Sequence, residues 1–260
     1  MPQLPDPEQT RSESPAPEVV SQSPARVLVV IFSFNEGPKL GMTLERFPAG
    51  RDYDLMVMDD GSTDGSTDQL TEEHGLILLR HSVRLGVGSG MQSVFHYAIS
   101  QHYEVVIPMA GNSKDSPDEI PRLLEQIAAG ADFVQGSRYL PGGKHGGMPV
   151  YRRLATQFVH PLLFSLLTRR RITDSTNGFR ALRVSMLQAL KPRWDQSWLK
   201  QYELEPYLFY QAIRQGYRVV EVPVSKFYPP RELGYTKMKP ITGWWSILRP
   251  LVFLLLRMRR

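Results

Sequence analysis

The stretch Val57-Met58-Asp59-Asp60-Gly61-Ser62-Thr63-Asp64-Gly65-Ser66 decides how this chain is read. The apolar run Asp54-Leu-Met-Val-Met58 ends in two adjacent carboxylates, and a turn of Gly61 and small polar residues follows at once. That order describes a strand reaching the edge of an open α/β sheet, where ligands bind outside the carboxyl ends of the strands. Ser62, Thr63 and Asp64 suit the capping of free backbone N–H groups equally well. Two carboxylates side by side at a strand end are costly unless they hold something, so Asp59 and Asp60 are read as ligand-binding.

Working outward, Arg26–Phe32 is a buried strand by its β-branched run, and Ser33-Phe34-Asn35-Glu36-Gly37 is the turn after it. The pattern predicts a helix over 38–47, strands over 54–58 and 76–79, a helix with a Gly-rich start over 86–102, and a fourth strand over 104–109. A helix over 117–129 carries Asp118 and Glu119 in its first turn, where carboxylates are favoured. A fifth strand covers 132–135. Strand and helix alternate with short connections, which predicts that the first half is a parallel, doubly wound sheet. The strand ends deliver Asn35-Glu36, Asp59-Asp60, Asn112 and Ser137-Arg138 to one edge, as a binding cleft requires.

The second half changes character. A Gly/Pro-rich loop over 140–149 precedes Leu154–Thr168, which is uncharged and bracketed by Arg152-Arg153 and Arg169-Arg170-Arg171. It is too short to span a bilayer. The flanking arginines favour a helix lying in the membrane interface, with a core helix as the plainer alternative. A turn over 174–180 leads into a short strand, a helix over 198–215 carries Glu203 and Glu205, a strand follows over 217–224, and 227–240 is a basic loop. The apolar segment 241–258, broken at Arg249-Pro250, reads as a monotopic element or part of a helical hairpin. Residues 1–25, rich in Pro, Glu, Ser and Gln, predict a disordered tail without the apolar region of a signal peptide. The expected organisation is therefore a tail (1–25), one α/β domain (26–240) and a membrane-associated segment (241–260).

Composition narrows the chemistry. The 260 residues contain no cysteine, which excludes disulfides, thiolate nucleophiles and zinc–thiolate sites, and the six histidines lack metal-ligand spacing. The net charge is +5, concentrated late. After Val222 the sole acid is Glu232, against Lys226, Arg231, Lys237, Lys239, Arg249, Arg257, Arg259 and Arg260. Cations interleaved with Trp244, Trp245 and Phe253 point to an anionic membrane surface rather than nucleic acid.

Several motifs, in order, resemble the family 2 glycosyltransferases of the polyprenyl-phosphate, dolichyl-phosphate mannose synthase-like branch. They are Ile31-Phe-Ser-Phe-Asn-Glu36, Met58-Asp-Asp-Gly-Ser-Thr-Asp64, Gln135-Gly-Ser-Arg-Tyr139, Asp174-Ser-Thr-Asn-Gly-Phe-Arg180, Tyr217-Arg-Val-Val-Glu-Val-Pro-Val224 and Arg231 with Gly234-Tyr-Thr-Lys237. The resemblance implies a GT-A fold, a Rossmann-like, mostly parallel sheet flanked by helices with C-terminal membrane-associated helices. It implies an inverting transferase moving a sugar from a nucleotide-diphosphate sugar to a polyprenyl phosphate at the cytoplasmic face of the membrane. Transfer to a sugar hydroxyl in glycan synthesis, or nucleotide-sugar binding without catalysis, are the alternatives, and self-association is left open.

By position in those motifs, Phe34, Glu36, Asp59 and Asp60 line the nucleotide pocket, Arg138 faces phosphate, and Ser137 and Asp174 are further substrate-binding candidates. Outside the motifs, Arg152 or Arg153 would join Arg138 and Lys237 in holding an acceptor phosphate. Arg231 and Lys237 close over phosphates from a flexible loop. Where the family carries an Asp-x-Asp metal motif, this chain has Ala110-Gly111-Asn112. Three readings follow. Mg2+ or Mn2+ binds through Asn112 and Asp115, or Lys114 and the arginines neutralise the diphosphate, or the site is inactive. The family's Gly-Lys-Gly segment is also altered, to Gly86-Val-Gly88. A lipid phosphate acceptor needs no strong base; for a hydroxyl acceptor the candidate bases are Asp174, Glu203 and Glu205.

Overall fold

The computed structural model describes residues 25–68, 70, 75–233 and 242–255. Expectations for the N-terminal tail, for Lys237 and for the last five residues lie outside the described residues. The central sheet has seven strands in the order β3-β2-β1-β4-β7-β5-β8, formed by β1 (Val27–Ser33), β2 (Asp54–Asp59), β3 (Leu76–Arg80), β4 (Val105–Ala110), β5 (Phe133–Ser137), β7 (Arg180–Arg183) and β8 (Val219–Pro223). A small parallel pair joins β6 (Lys144–Gly146) to β9 (Ser225–Phe227).

Strand β1 shows why the inner strands read as continuous apolar runs. Val27, Val29 and Ile31 enter the core on one face, and Leu28 and Val30 the core on the other. With both faces covered, no polar alternation is tolerated. Helices α1 (Pro38–Leu44) and α3 (Ile120–Ala128) cover the first face through Leu40, Ile120, Leu123 and Ile127. Helices α2 (Val87–Ser100), α6 (Val184–Ala189), α7 (Lys191–Trp194) and α8 (Leu204–Arg214) cover the second. There Phe209 stacks on Phe133 with ring centroids 4.8 Å apart and meets Phe164 at the same distance.

The sheet is mostly parallel, as expected, with β7 from the second half running antiparallel to both β4 and β5. Strand β5 ends at the carboxyl edge; residues 138–179 reach back over one face as far as Phe209 and the Val219 carbonyl and then return, so that Arg180 opens β7 opposite Gln135 and the strand runs back antiparallel. The helix expected from residue 198 begins at Leu204. The residues before it pass so close to α2 that a Cβ on Gly88 would lie 2.1 Å from the Leu199 carbonyl oxygen. A helix there would need the space the Gly-rich start of α2 already uses.

The excursion carries α4 (Val150–Leu154), a π-helical turn (Ala155–Val159) and α5 (His160–Thr168). One side of this continuous rod is buried through Thr156, His160, Phe164 and Thr168, while the other leaves Leu162 60% and Leu166 67% exposed. Helix α9 (Thr242–Leu255) packs on α5 and α8, burying Leu251 and Leu254, and Arg249 pairs with the buried Glu203. Among the described residues no helix is long and apolar enough to cross a membrane. Because Phe209 ties three elements together, Phe209→Ala is expected to lower stability by about 3–5 kcal/mol in denaturant unfolding. A loss below about 1 kcal/mol would show that this cluster is not part of the packed core.

Candidate active site

The site lies at the carboxyl edge, where the strand order reverses between β1 and β4. Two adjoining cavities of about 200 and 220 Å³ open there, sharing Phe32, Asn112, Lys114, Arg152 and Tyr202 in their walls. The cavity on the β2 side also has Phe34, Glu36, Lys39, Asp60 and Arg84. The one on the β5 side has Asp115, Arg138, Thr156, Glu205, Lys226 and Tyr228.

The paired carboxylates of the opening motif part company. Asp59, fully buried, accepts from Ser62 N (2.9 Å) and Thr67 Oγ1 (2.7 Å) and pairs with Arg80 Nε at 2.9 Å. It shapes the turn and lines neither cavity. Gly61 makes that turn possible: its φ is +74°, and a Cβ there would stand 2.7 Å from the Val83 backbone. Asp60 faces the β2-side cavity and is held by Leu85 N (2.9 Å), Gly86 N (2.8 Å) and His81 Nδ1 (2.9 Å). It therefore fixes the Gly-rich entrance to α2. Phe34 lies 4.2 Å beneath the Arg84 guanidinium, and Glu36 pairs with Lys39 at 3.0 Å.

On the β5 side, Arg138 is not a free phosphate ligand. Its Nε and Nη2 bind Asp174 at 2.6 and 2.8 Å, with both side chains almost wholly buried. Burial alone pushes the Asp174 carboxyl up, but the Arg138 guanidinium outweighs it and holds the group below its usual range. Asp174 is thus a poor base. Ser137 is buried against the Thr173 hydroxyl at 2.7 Å, and Arg153 is exposed, so neither lines these cavities. Of the other carboxylates considered as bases, Glu203 is taken by Arg249, while Glu205 stands on the cavity wall 3.2 Å from Arg180. Arg231 begins a short 3-10 turn, and Lys237 lies outside the described residues.

The wall shared by the cavities is cationic. Lys114 Nζ sits 4.2 Å from the Tyr228 ring centroid and Arg152 Cζ 5.7 Å from it. Burial, then the charges of Lys226 and Arg152, bring the Lys114 ammonium down to about 7. Lys226 Nζ binds Asp115 Oδ1 at 2.5 Å and Asn177 Oδ1 at 3.1 Å. Sequence reasoning passed over Lys226, Tyr202, Tyr228 and Arg84. Lys226 and Asp115 are 111 residues apart, and no local pattern signals their contact.

This donor set does not fit a divalent cation. Mg2+ and Mn2+ take carboxylate and phosphate oxygens. Asn112 offers a neutral oxygen, and the charge of Asp115 is already matched by Lys226, with Lys114 and Arg152 adding like charge nearby. Among the described residues no group of three or more His, Asp or Glu could hold a metal. Asn112 Oδ1 and Asp115 Oδ2 are nevertheless buried with no donor among the described residues, so both can accept from a ligand.

An open sheet with a polar, cationic cleft at its switch point is the plan of a nucleotide-binding α/β enzyme. The profile described as "Glycosyl transferase family 2" matches residues 28–191, and the chain belongs to that family. It is 33% identical over 218 residues to an undecaprenyl-phosphate mannosyltransferase of Micrococcus luteus, covering 82% of this chain and 87% of that protein. It is 33% identical over 238 residues to a polyprenol monophosphomannose synthase of Mycolicibacterium smegmatis, covering 89% and 86%. The fold is also that of glucosyl-3-phosphoglycerate synthase from Mycobacterium tuberculosis, solved with Mn2+, UDP and phosphoglyceric acid (TM-score 0.63, 17% identity, 90% of this chain and 78% of that one). The GT-A expectation holds.

Arg138→Met is expected to cost about 3–5 kcal/mol at neutral pH, because it strands a buried carboxylate. The sign with pH follows from the lowered Asp174 pKa: the pair stabilises above the unfolded carboxyl value of about 3.9 and is lost as pH falls through the folded value. The deficit of the variant, measured by denaturant unfolding, should therefore narrow on acidification. A pH-independent deficit would contradict this.

Proposed function

We propose that this protein transfers a sugar from a nucleotide-diphosphate sugar to a polyprenyl phosphate at a membrane surface. The observation that carries the reading is the two-sidedness of the rod formed by α4, the π turn and α5. Its inner residues Arg152, Thr156 and His160 line the β5-side cavity, while its outer face is apolar and solvent-exposed. An acceptor with an anionic head and a hydrocarbon tail matches both faces at once. Arg169, Arg170 and Arg171 stand at one end of the rod, where an anionic leaflet attracts them. These features support a peripheral position on the membrane, and the cytoplasmic leaflet is the face proposed for it.

The β2-side cavity takes the nucleoside. Asp60 and Glu36 accept from base or ribose, and the Phe34–Arg84 stack offers a planar surface. The diphosphate runs along the wall of Lys114 and Arg152 into the second cavity. An oxygen of the acceptor phosphate attacks the anomeric carbon as the bond from that carbon to the diphosphate oxygen breaks. The nucleoside diphosphate leaves with the bonding pair, and the configuration at carbon inverts. The attacking oxygen is already anionic, so no base has to remove a proton. Alignment and stabilisation of the leaving charge supply the rate.

The protein, incubated with radiolabelled nucleotide sugars and vesicles containing polyprenyl phosphate, should place label in the organic phase in a form released by mild acid. Acid-stable lipid label would point instead to a hydroxyl acceptor, with Glu205 as the base on the cavity wall. Leu162→Glu/Leu166→Glu should weaken co-sedimentation with anionic vesicles about tenfold or more. Vesicle binding equal to wild type would remove the apolar face from the account.

A further inference from the structure

Resting on the donor assignment above, we infer that Lys226 is the resident cation for the donor diphosphate, built into the chain where a divalent ion would otherwise have to be recruited. The placement comes first. Lys226 lies on β9, yet it is joined to the segment after β4 through an antiparallel bridge to Asp115 and a bond from Phe227 N to the Lys114 carbonyl at 3.0 Å. The ammonium therefore stands at the strand end where the sequence would carry an Asp-x-Asp motif and instead has Ala110-Gly111-Asn112.

The chemistry comes second. An ammonium has three N–H donors, and the described partners take two, Asp115 Oδ1 and Asn177 Oδ1. The third is available to an oxygen in the cavity that Lys226 helps to line. Its side chain is 12% exposed and that of Asp115 1%. The bonds to Asp115 and Asn177 also tie β9 to the segments carrying those residues, so the ammonium is held in place before any ligand arrives.

The charge comes third. Asp115 shares this wall with three basic side chains, Lys226, Lys114 and Arg152. An arriving diphosphate meets a wall that is cationic on balance, and its charge favours the protonated form of Lys114, which burial and its basic neighbours bring down to about 7. A fixed cation differs from a recruited one in needing no ion from solution, and its charge is oriented before the leaving group departs.

The test uses the full chain, stripped with EDTA and titrated calorimetrically with UDP and with GDP. Wild-type protein should bind one of them with the same affinity in EDTA as in Mg2+ or Mn2+. Lys226→Gln should weaken that binding about tenfold or more in EDTA, while Lys226→Arg retains most of it. Since Lys226→Gln leaves Asp115 buried without its counter-charge, Asp115→Asn/Lys226→Gln is measured beside it and should show the same deficit. Wild-type binding that requires Mg2+ or Mn2+ overturns the inference and leaves the donor assignment standing. So does full affinity of the Lys226→Gln protein in EDTA. Failure of both nucleotides to bind under every condition overturns the donor assignment and this inference together.

Discussion

The buried pair between Arg138 and Asp174 is the constraint on which the acceptor half of the molecule depends. Residues 138–179 leave the sheet at the end of β5 and come back at the start of β7, carrying the two-sided rod with them. The pair closes that excursion at its neck, with Arg138 N also donating to Asp174 at 3.1 Å. Glu221 of β8 then receives the backbone N–H groups of Thr173 and Asp174 at 2.9 and 3.0 Å. Burial pushes the Glu221 carboxyl up, and those bonds offset part of the shift. The end of β5, the segment leading back to β7 and the middle of β8 are thereby locked to one another, and the rod cannot drift from the cleft without exposing a charge network.

The nucleotide half is fixed by the same physical means on a smaller scale. Asp59 and Asp60 each collect several donors, one to close the turn after β2 and the other to hold the start of α2. Between the two rigid halves lies the cationic wall of Lys114, Arg152 and Lys226. In the proposed reaction, binding and leaving-group stabilisation fall to this surface, and the exposed face of the rod supplies contact with the lipid phase.

Much of the fold was legible because strands buried on both faces cannot hide: Val27–Phe32 and the residues before Asp59 are apolar without interruption. The convergence of Glu36, Asp60 and Asn112 on one edge followed from strand–helix alternation. The roles within that edge were less legible. Strand pleating sends adjacent residues to opposite sides, so one of Asp59 and Asp60 had to face away, but sequence does not say which. Arg138 resembles a phosphate ligand by motif, and its partner lies in another motif 36 residues on. Lys226 was legible only as one of the late cations, because its contact with Asp115 depends on the long excursion and the antiparallel return of β7.

In the proposed reaction a phosphate oxygen of a lipid acceptor displaces the nucleoside diphosphate in one step. Its most direct measurement is the linkage and anomeric configuration of the lipid product, read by phosphorus and proton NMR after reaction of an α-configured nucleotide sugar with polyprenyl phosphate. The expected product is a sugar whose anomeric carbon is joined to an oxygen of the lipid phosphate, in the β configuration. An α-configured product, or a sugar linked to anything other than phosphate, would contradict it.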